Sequence, residues 1–119
     1  MSYISGFLAA VPDENKDAYI ALAQKLVPLW KKHGATDYRE CWGRDVPDGT
    51  VTSFPMAVKK KDGETVVFSW IEWPDKETAD ACMASMQTDA EWTEAFGDMP
   101  FDGQRMIFGG FDVIVGGLG

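Results

Sequence analysis

The sequence has little of what most catalytic and metal sites are made from. Its one histidine is His33, and its two cysteines, Cys41 and Cys82, lie far apart. With so few such groups, spacing assembles no nucleophile–base set and no zinc pattern. Asp45 and Asp48 lack the spacing of a calcium loop, so no metal site is expected. A phosphate-cradling glycine loop is also missing. Gly109 and Gly110 sit inside an apolar run instead of between a strand and a helix, and no cofactor is expected.

Positive charge is scarce. Eleven Lys and Arg face nineteen Asp and Glu, a net charge of -8. Nucleic-acid binding rests on basic side chains that neutralise phosphates, so a nucleic-acid partner is excluded. The one basic run, Lys59 to Lys61, is followed at once by Asp62, Gly63 and Glu64, and reads as a solvated turn. No apolar stretch is long enough to span a bilayer, which argues against a membrane partner. The first residues carry no basic segment leading into an apolar run. A cytoplasmic protein with reduced thiols is therefore the expectation.

What is present is a core. Hydrophobic residues make up 45% of the chain and aromatic residues 13%. A single domain over residues 1–119 can bury such a core without staples. Residues 3–11 are almost all apolar and read as a strand ended by Pro12. Asp13 or Asn15 is placed to cap a helix running to His33, with Tyr19, Leu22, Ala23, Leu26, Val27 and Trp30 as its apolar stripe. Pro28 should kink it, and Gly34 suits the position past its end.

Residues 37–42 form a second strand, followed by the longest irregular connection in the chain, 44–64. Within it, Ser53 and Pro55 fit the start of a short helix better than a hairpin arm turned at Asp62 and Gly63. Residues 65–73 give the strongest strand signal, with Val66, Phe68 and Trp70 on one face and Val67, Ile71 and Trp73 on the other. Asp75 caps a second long helix whose stripe is Ala79, Cys82, Met83 and Met86. Asp89 caps a shorter one ended by Gly97. Residues 105–115 are the last strand, where the two glycines point to a bulge or a close backbone approach, and the tail 116–119 frays.

This order predicts an α+β, ferredoxin-like βαββαβ fold, an antiparallel sheet with both main helices on one face. The first, third and fourth strands carry large apolar residues on both faces. Two helices cover only one face, so the other must meet a partner, and a symmetric homodimer joined sheet to sheet is the simplest solution. Trp42, Trp70 and Trp73 are candidate walls of a ligand pocket, and Arg44, Glu72 and Arg105 its candidate polar groups. Glu72, on the face of Phe68 and Trp70, needs an arginine partner or else holds a raised pKa suited to proton transfer. Cys41 has no adjacent base and reads as a strand residue, and His33 is accounted for by its place at a helix end.

The phrases also carry a resemblance. Val11-Pro12 with Asn15-Lys16 and Tyr19, His33-Gly34-Ala35, Glu40-Cys41-Trp42-Gly43 and Asp45-Val46-Pro47-Asp48-Gly49 occur in order. They are followed by Val67-Phe68-Ser69-Trp70-Ile71 with Trp73-Pro74, then Met99-Pro100-Phe101-Asp102-Gly103, Arg105-Met106 and Gly109-Gly110-Phe111. Together these resemble the YbaA-like family of small bacterial proteins, a domain of unknown function within the dimeric α/β-barrel superfamily. The superfamily pairs two such sheets into a barrel, which agrees with the homodimer, and it includes cofactor-independent monooxygenases and isomerases. The expectation is a homodimer that binds a small molecule in a pocket between sheet and helices, with monooxygenase- or isomerase-like chemistry admitted. The alternative is a non-catalytic dimer that serves structure or interaction alone. A shared fold does not decide between them.

Overall fold

The computed structural model describes residues 2–118. Strand β1 (Tyr3–Pro12) leads through a 3-10 turn, Asp13–Asn15, into helix α1 (Lys16–Lys32). Strand β2 (Asp37–Trp42), the short helix α2 (Phe54–Ala57) and strand β3 (Glu64–Trp73) follow. Helices α3 (Lys76–Thr88) and α4 (Ala90–Phe96) precede a 3-10 turn, Gly103–Arg105, and strand β4 (Ile107–Asp112). The strands lie in the order β2-β3-β1-β4, with every neighbouring pair antiparallel. This is the ferredoxin-like arrangement of the α+β class. No helix among the described residues is long and apolar enough to cross a membrane.

Local signals account for most of the boundaries. Ser53, Asp75 and Asp89 each accept a backbone N–H of the helix they precede, from Met56, Thr78 and Glu91. At the end of α1, Gly34 takes a φ of +99°, which a side chain would strain, and the chain turns back so that Ala35 N–H reaches the Trp30 carbonyl. The start of α1 departs from expectation, because no side chain caps it. Asp13 instead accepts the Thr65 hydroxyl, and Asn15 donates to the Pro100 carbonyl across the fold. Both polar groups found stronger use tying distant segments together. Pro28 lies inside α1 without ending it, while Val27 is exposed and Leu29 is buried in its place.

The last strand is shorter than residues 105–115. Gln104 and Arg105 belong to a capped 3-10 turn, and the pairing with β1 ends at Asp112. The register through Gly109 and Gly110 is continuous, so the glycines mark a close approach and not a bulge. A Cβ on Gly110 would run into the Tyr3 hydroxyl. On the other face, paired Gly6 and Gly109 form a seat for the Phe111 ring. The tail stands without regular structure up to residue 118, and Gly119 lies outside the described residues.

The helix-covered face holds the main core, built on Leu26, Leu29, Trp30, Ile71, Trp73, Ala79, Cys82 and Trp92. Trp73 is fully buried there, and its indole N–H donates to Ser5 Oγ at 3.0 Å. The opposite face is only partly covered. The connection after β2 lays Val58 over Ala10 and Val66, and Phe54 beside Phe68. Phe68, Ile107 and Phe111 remain 46%, 43% and 60% exposed on that face. The apolar patch expected from a two-faced sheet is therefore present, reduced by the segment containing α2.

Candidate functional site

Between the helices and the sheet lies a half-open cavity of about 280 Å³. Its floor is one transverse row of the sheet. The register aligns Glu40 on β2 with Ser69 on β3, Phe7 on β1 and Phe108 on β4. Ser69 and Ala9 are small, which leaves the space. The roof comes from α1 through Tyr19, Leu22, Ala23, Leu26 and Trp30, and from Met83 and Met86 of α3. Phe96, Met99, Phe101 and Met106 close one side. The helical stripes that build the core thus continue past it to form a binding-sized space.

One carboxylate stands in these apolar surroundings. Alternation along β2 sends Tyr38, Glu40 and Trp42 to the helix side and Arg39 and Cys41 to the other. Tyr19 Oη donates to Glu40 Oε1 at 2.6 Å, and Tyr38 Oη donates to the second oxygen, Oε2. Glu40 is exposed to solvent along the sheet edge, while the apolar side chains beside its carboxylate remove part of its water. That desolvation raises its pKa above the ordinary carboxylate value, while the hydrogen bonds from Tyr19 and Tyr38 and the neighbouring Ser69 hydroxyl oppose the rise. Burial first, and the adjacent carboxylate second, push both phenols well above the usual tyrosine value. They remain neutral donors. The Trp30 indole N–H, buried in the cavity wall, has no hydrogen-bond partner among the described residues.

The six residues singled out in the sequence do not line this cavity; they fall in five other places. Trp73 is core. Trp42 packs with Tyr19, Phe101 and Met106 around Ala9, Val11 and Val67, with Lys16 Nζ 5.1 Å from its ring centroid. Trp70 and Glu72 lie on the outer face, where the Arg39 guanidinium sits 5.8 Å from the Trp70 ring. Thr36 reaches Glu72 from the edge, donating its backbone N–H to the Glu72 carbonyl at 2.8 Å. Arg44 is exposed in the connection after β2.

Arg105 is paired, but not to Glu72. Its guanidinium grips Glu64 through two bonds of 2.8 and 2.7 Å, donates to the Lys59 carbonyl at 2.9 Å and meets Asp102 at 3.0 Å. Lys61 N–H also donates to Glu64, at 2.7 Å. These bonds hold the Glu64 carboxyl down at about 2. Arg105 therefore clamps the turn before β3 to the turn before β4. The His33 ring lies tilted against Trp92 with centroids 5.3 Å apart, and burial pushes the Cys82 thiol up to about 11. Cys41 is exposed on the outer side of an edge strand.

Reasoning from sequence passed over Glu40, Tyr19 and Tyr38. The signal was available in β2 itself: a carboxylate standing between two aromatics on one face of a strand, Tyr38-x-Glu40-x-Trp42.

A family model described as "Protein of unknown function (DUF1428)" matches residues 2–103. Over 115 residues the chain is 53% identical to the uncharacterized protein YbaA of Escherichia coli strain K12, covering 97% of this chain and 98% of that protein. The protein of the same name from Shigella flexneri matches to the same extent. Among solved structures, a dimeric ferredoxin-like protein from an uncultured marine organism matches with a TM-score of 0.58 at 14% identity, covering 92% of this chain and 91% of that one. At that identity the likeness speaks to the fold alone.

Proposed function

The chain belongs to the DUF1428 family, and we propose that it is a homodimeric protein that binds a small, largely apolar molecule between its helices and its sheet. The observation that carries this reading is the cavity with a single, doubly hydrogen-bonded carboxylate at one end. Small-ligand sites have this character: apolar walls and a few placed polar groups. Four methionines, Met83, Met86, Met99 and Met106, add adaptable, polarizable surface. Isomerase-like proton transfer, which the family resemblance admits, needs a base, and Glu40 is the one carboxylate lining the cavity among the described residues.

The test is titration with N-phenyl-1-naphthylamine, a neutral apolar fluorophore. The expected result is a saturable rise in fluorescence at one site per chain. Ala23→Trp, which fills the roof, should remove it while thermal unfolding stays cooperative. No saturable signal, or an equal signal from the filled variant, overturns the reading.

The homodimer is supported by the open sheet face. Phe54, Phe68, Ile107 and Phe111 form one continuous apolar surface beside Gly6 and Gly109. The ferredoxin-like neighbour is described as dimeric. Phe68→Asp, at the centre of that face, is expected to yield monomers in sedimentation velocity where the parent protein sediments as a dimer. A parent chain that stays monomeric at tens of micromolar sinks this part of the proposal.

A further inference from the structure

We infer that the ligand of this cavity is a cation: a positively charged head, such as an ammonium, on an apolar body. The inference rests on the cavity being a binding site, as proposed above, and adds the charge of what it binds.

The first argument is the hydrogen-bond inventory. A carboxylate only accepts, whereas a protonated carboxyl must donate one bond. Each phenol has one hydrogen, and Tyr19 and Tyr38 both direct theirs at Glu40, to different oxygens. Two incoming O–H bonds on two oxygens are the pattern of the ionised form. Both phenols are held neutral by burial and by that same charge, so they cannot themselves supply an anion's counterpart.

The second argument is the missing counter-charge. Among the described residues lining the cavity there is no lysine, arginine or histidine. The cations of the neighbouring elements make their contacts elsewhere. Arg39 points to the opposite sheet face, bonded to Asp37 at 2.6 Å. Lys16 lies over Trp42, and Lys25 donates to the Glu94 carbonyl. Arg105 is committed to Glu64 and Asp102. A charge in apolar surroundings is costly unless it is paired. Glu40 is exposed, so water answers part of its charge; the polypeptide adds hydrogen bonds but no cation, and leaves the pairing open on the side facing the cavity.

The third argument is the wall. Tyr19, Trp30, Tyr38 and Phe96 surround the space, and aromatic faces attract cations. An ammonium at Glu40 would meet the carboxylate with aromatic side chains close by, while its apolar body would rest on Leu22, Met83 and Met86. The net charge of -8 also draws cations toward the molecule as a whole. An anionic head has no place in this set. A neutral head would gain a hydrogen bond but leave the carboxylate without a partner charge.

The experiment uses three probes of matched body, 4-phenylbutylammonium, 4-phenylbutan-1-ol and 4-phenylbutanoate, each displacing N-phenyl-1-naphthylamine from the full chain at pH 7.5. The ammonium is expected to displace the reporter at a concentration at least about tenfold lower than the alcohol, and the carboxylate to be the weakest. Glu40→Gln should bring ammonium and alcohol within about twofold of each other while still binding the reporter. Tyr38→Phe should keep the order but narrow the gap. In the parent protein the ammonium preference should fade as pH drops through the raised pKa of Glu40, because the protonated acid offers no charge. An alcohol that competes as well as the ammonium, or a preference that survives Glu40→Gln, overturns the inference and leaves the cavity as a site for neutral molecules. A reporter that fails to bind at all overturns the binding reading itself, and the inference with it.

Discussion

Two glutamates on neighbouring strands of this protein are held in opposite ways. Glu64, at the start of β3, is gripped by both terminal nitrogens of Arg105 and by the Lys61 amide, and its pKa falls to about 2. Glu40, on β2, receives two phenols and no cation, and its pKa rises. The same side chain is closed off in one place and left available in the other. The difference is the partner: a guanidinium brings charge and geometry together, whereas a phenol brings only a hydrogen bond. A carboxylate whose charge is fully answered within the chain serves structure. A carboxylate whose charge is not answered is the one to expect at a site.

The most disruptive way to break this comparison is at Arg105. Arg105→Met strands Glu64 beneath the surface without its counter-charge. It should lower the urea midpoint more than any change at Glu40, and most of that loss should return in the double variant Arg105→Met with Glu64→Gln. A single variant as stable as the parent would show that the clamp between the two turns is incidental. Removing the charge at Glu40 should do far less. Glu40→Gln is expected to change stability near neutral pH by less than about 1 kcal/mol, because a desolvated, unpaired charge contributes little to the fold.

Acid titration sharpens the contrast, because the two groups act on stability with opposite sign. Glu64 has a folded pKa below its reference value of 4.5. The folded state therefore binds its proton more weakly than the unfolded chain, and the stability it contributes is lost as pH falls from about 4.5 toward about 2. Glu40 has a folded pKa above the same reference value of 4.5. Through it the folded state binds the proton more strongly, so acidification stabilises the protein from that raised pKa down to about 4.5. Unfolding free energies measured across both windows should show a shallow gain followed by a steeper loss. Glu40→Gln should remove the first, and Glu64→Gln should shrink the second, to which the depressed Asp75 and Asp102 also contribute. One monotonic fall, unchanged by Glu40→Gln, would refute the assignment of Glu40 as the desolvated partner.

Much of the fold could be read in advance because its signals are local. The caps at Ser53, Asp75 and Asp89 and the stop at Gly34 each depend on a few consecutive residues. The alternation in β3 separates its two faces without help from elsewhere, and the two-faced apolar strands announce an outer patch. The misses came where a long-range partner outbid a local one. Asn15 gave up the helix end for the Pro100 carbonyl, and Arg105 left Glu72 for Glu64, 41 residues away. The tryptophans misled for a related reason. Large aromatics fill cores and faces as readily as pockets, and Trp73 fills the core completely.

By itself, then, the sequence determined the elements, their order, the acidic surface and the presence of apolar groups on both sides of the sheet. Those follow from backbone preference and hydrophobic period, which act over a few residues. Only the tertiary structure decided where the unanswered charge lies. Tyr19 and Glu40 are 21 positions apart and meet at 2.6 Å because α1 crosses the sheet above β2. No spacing rule encodes that meeting. The packing of one helix over one row of the sheet makes it, and with it the difference between a glutamate that holds the fold together and one that faces an open cavity.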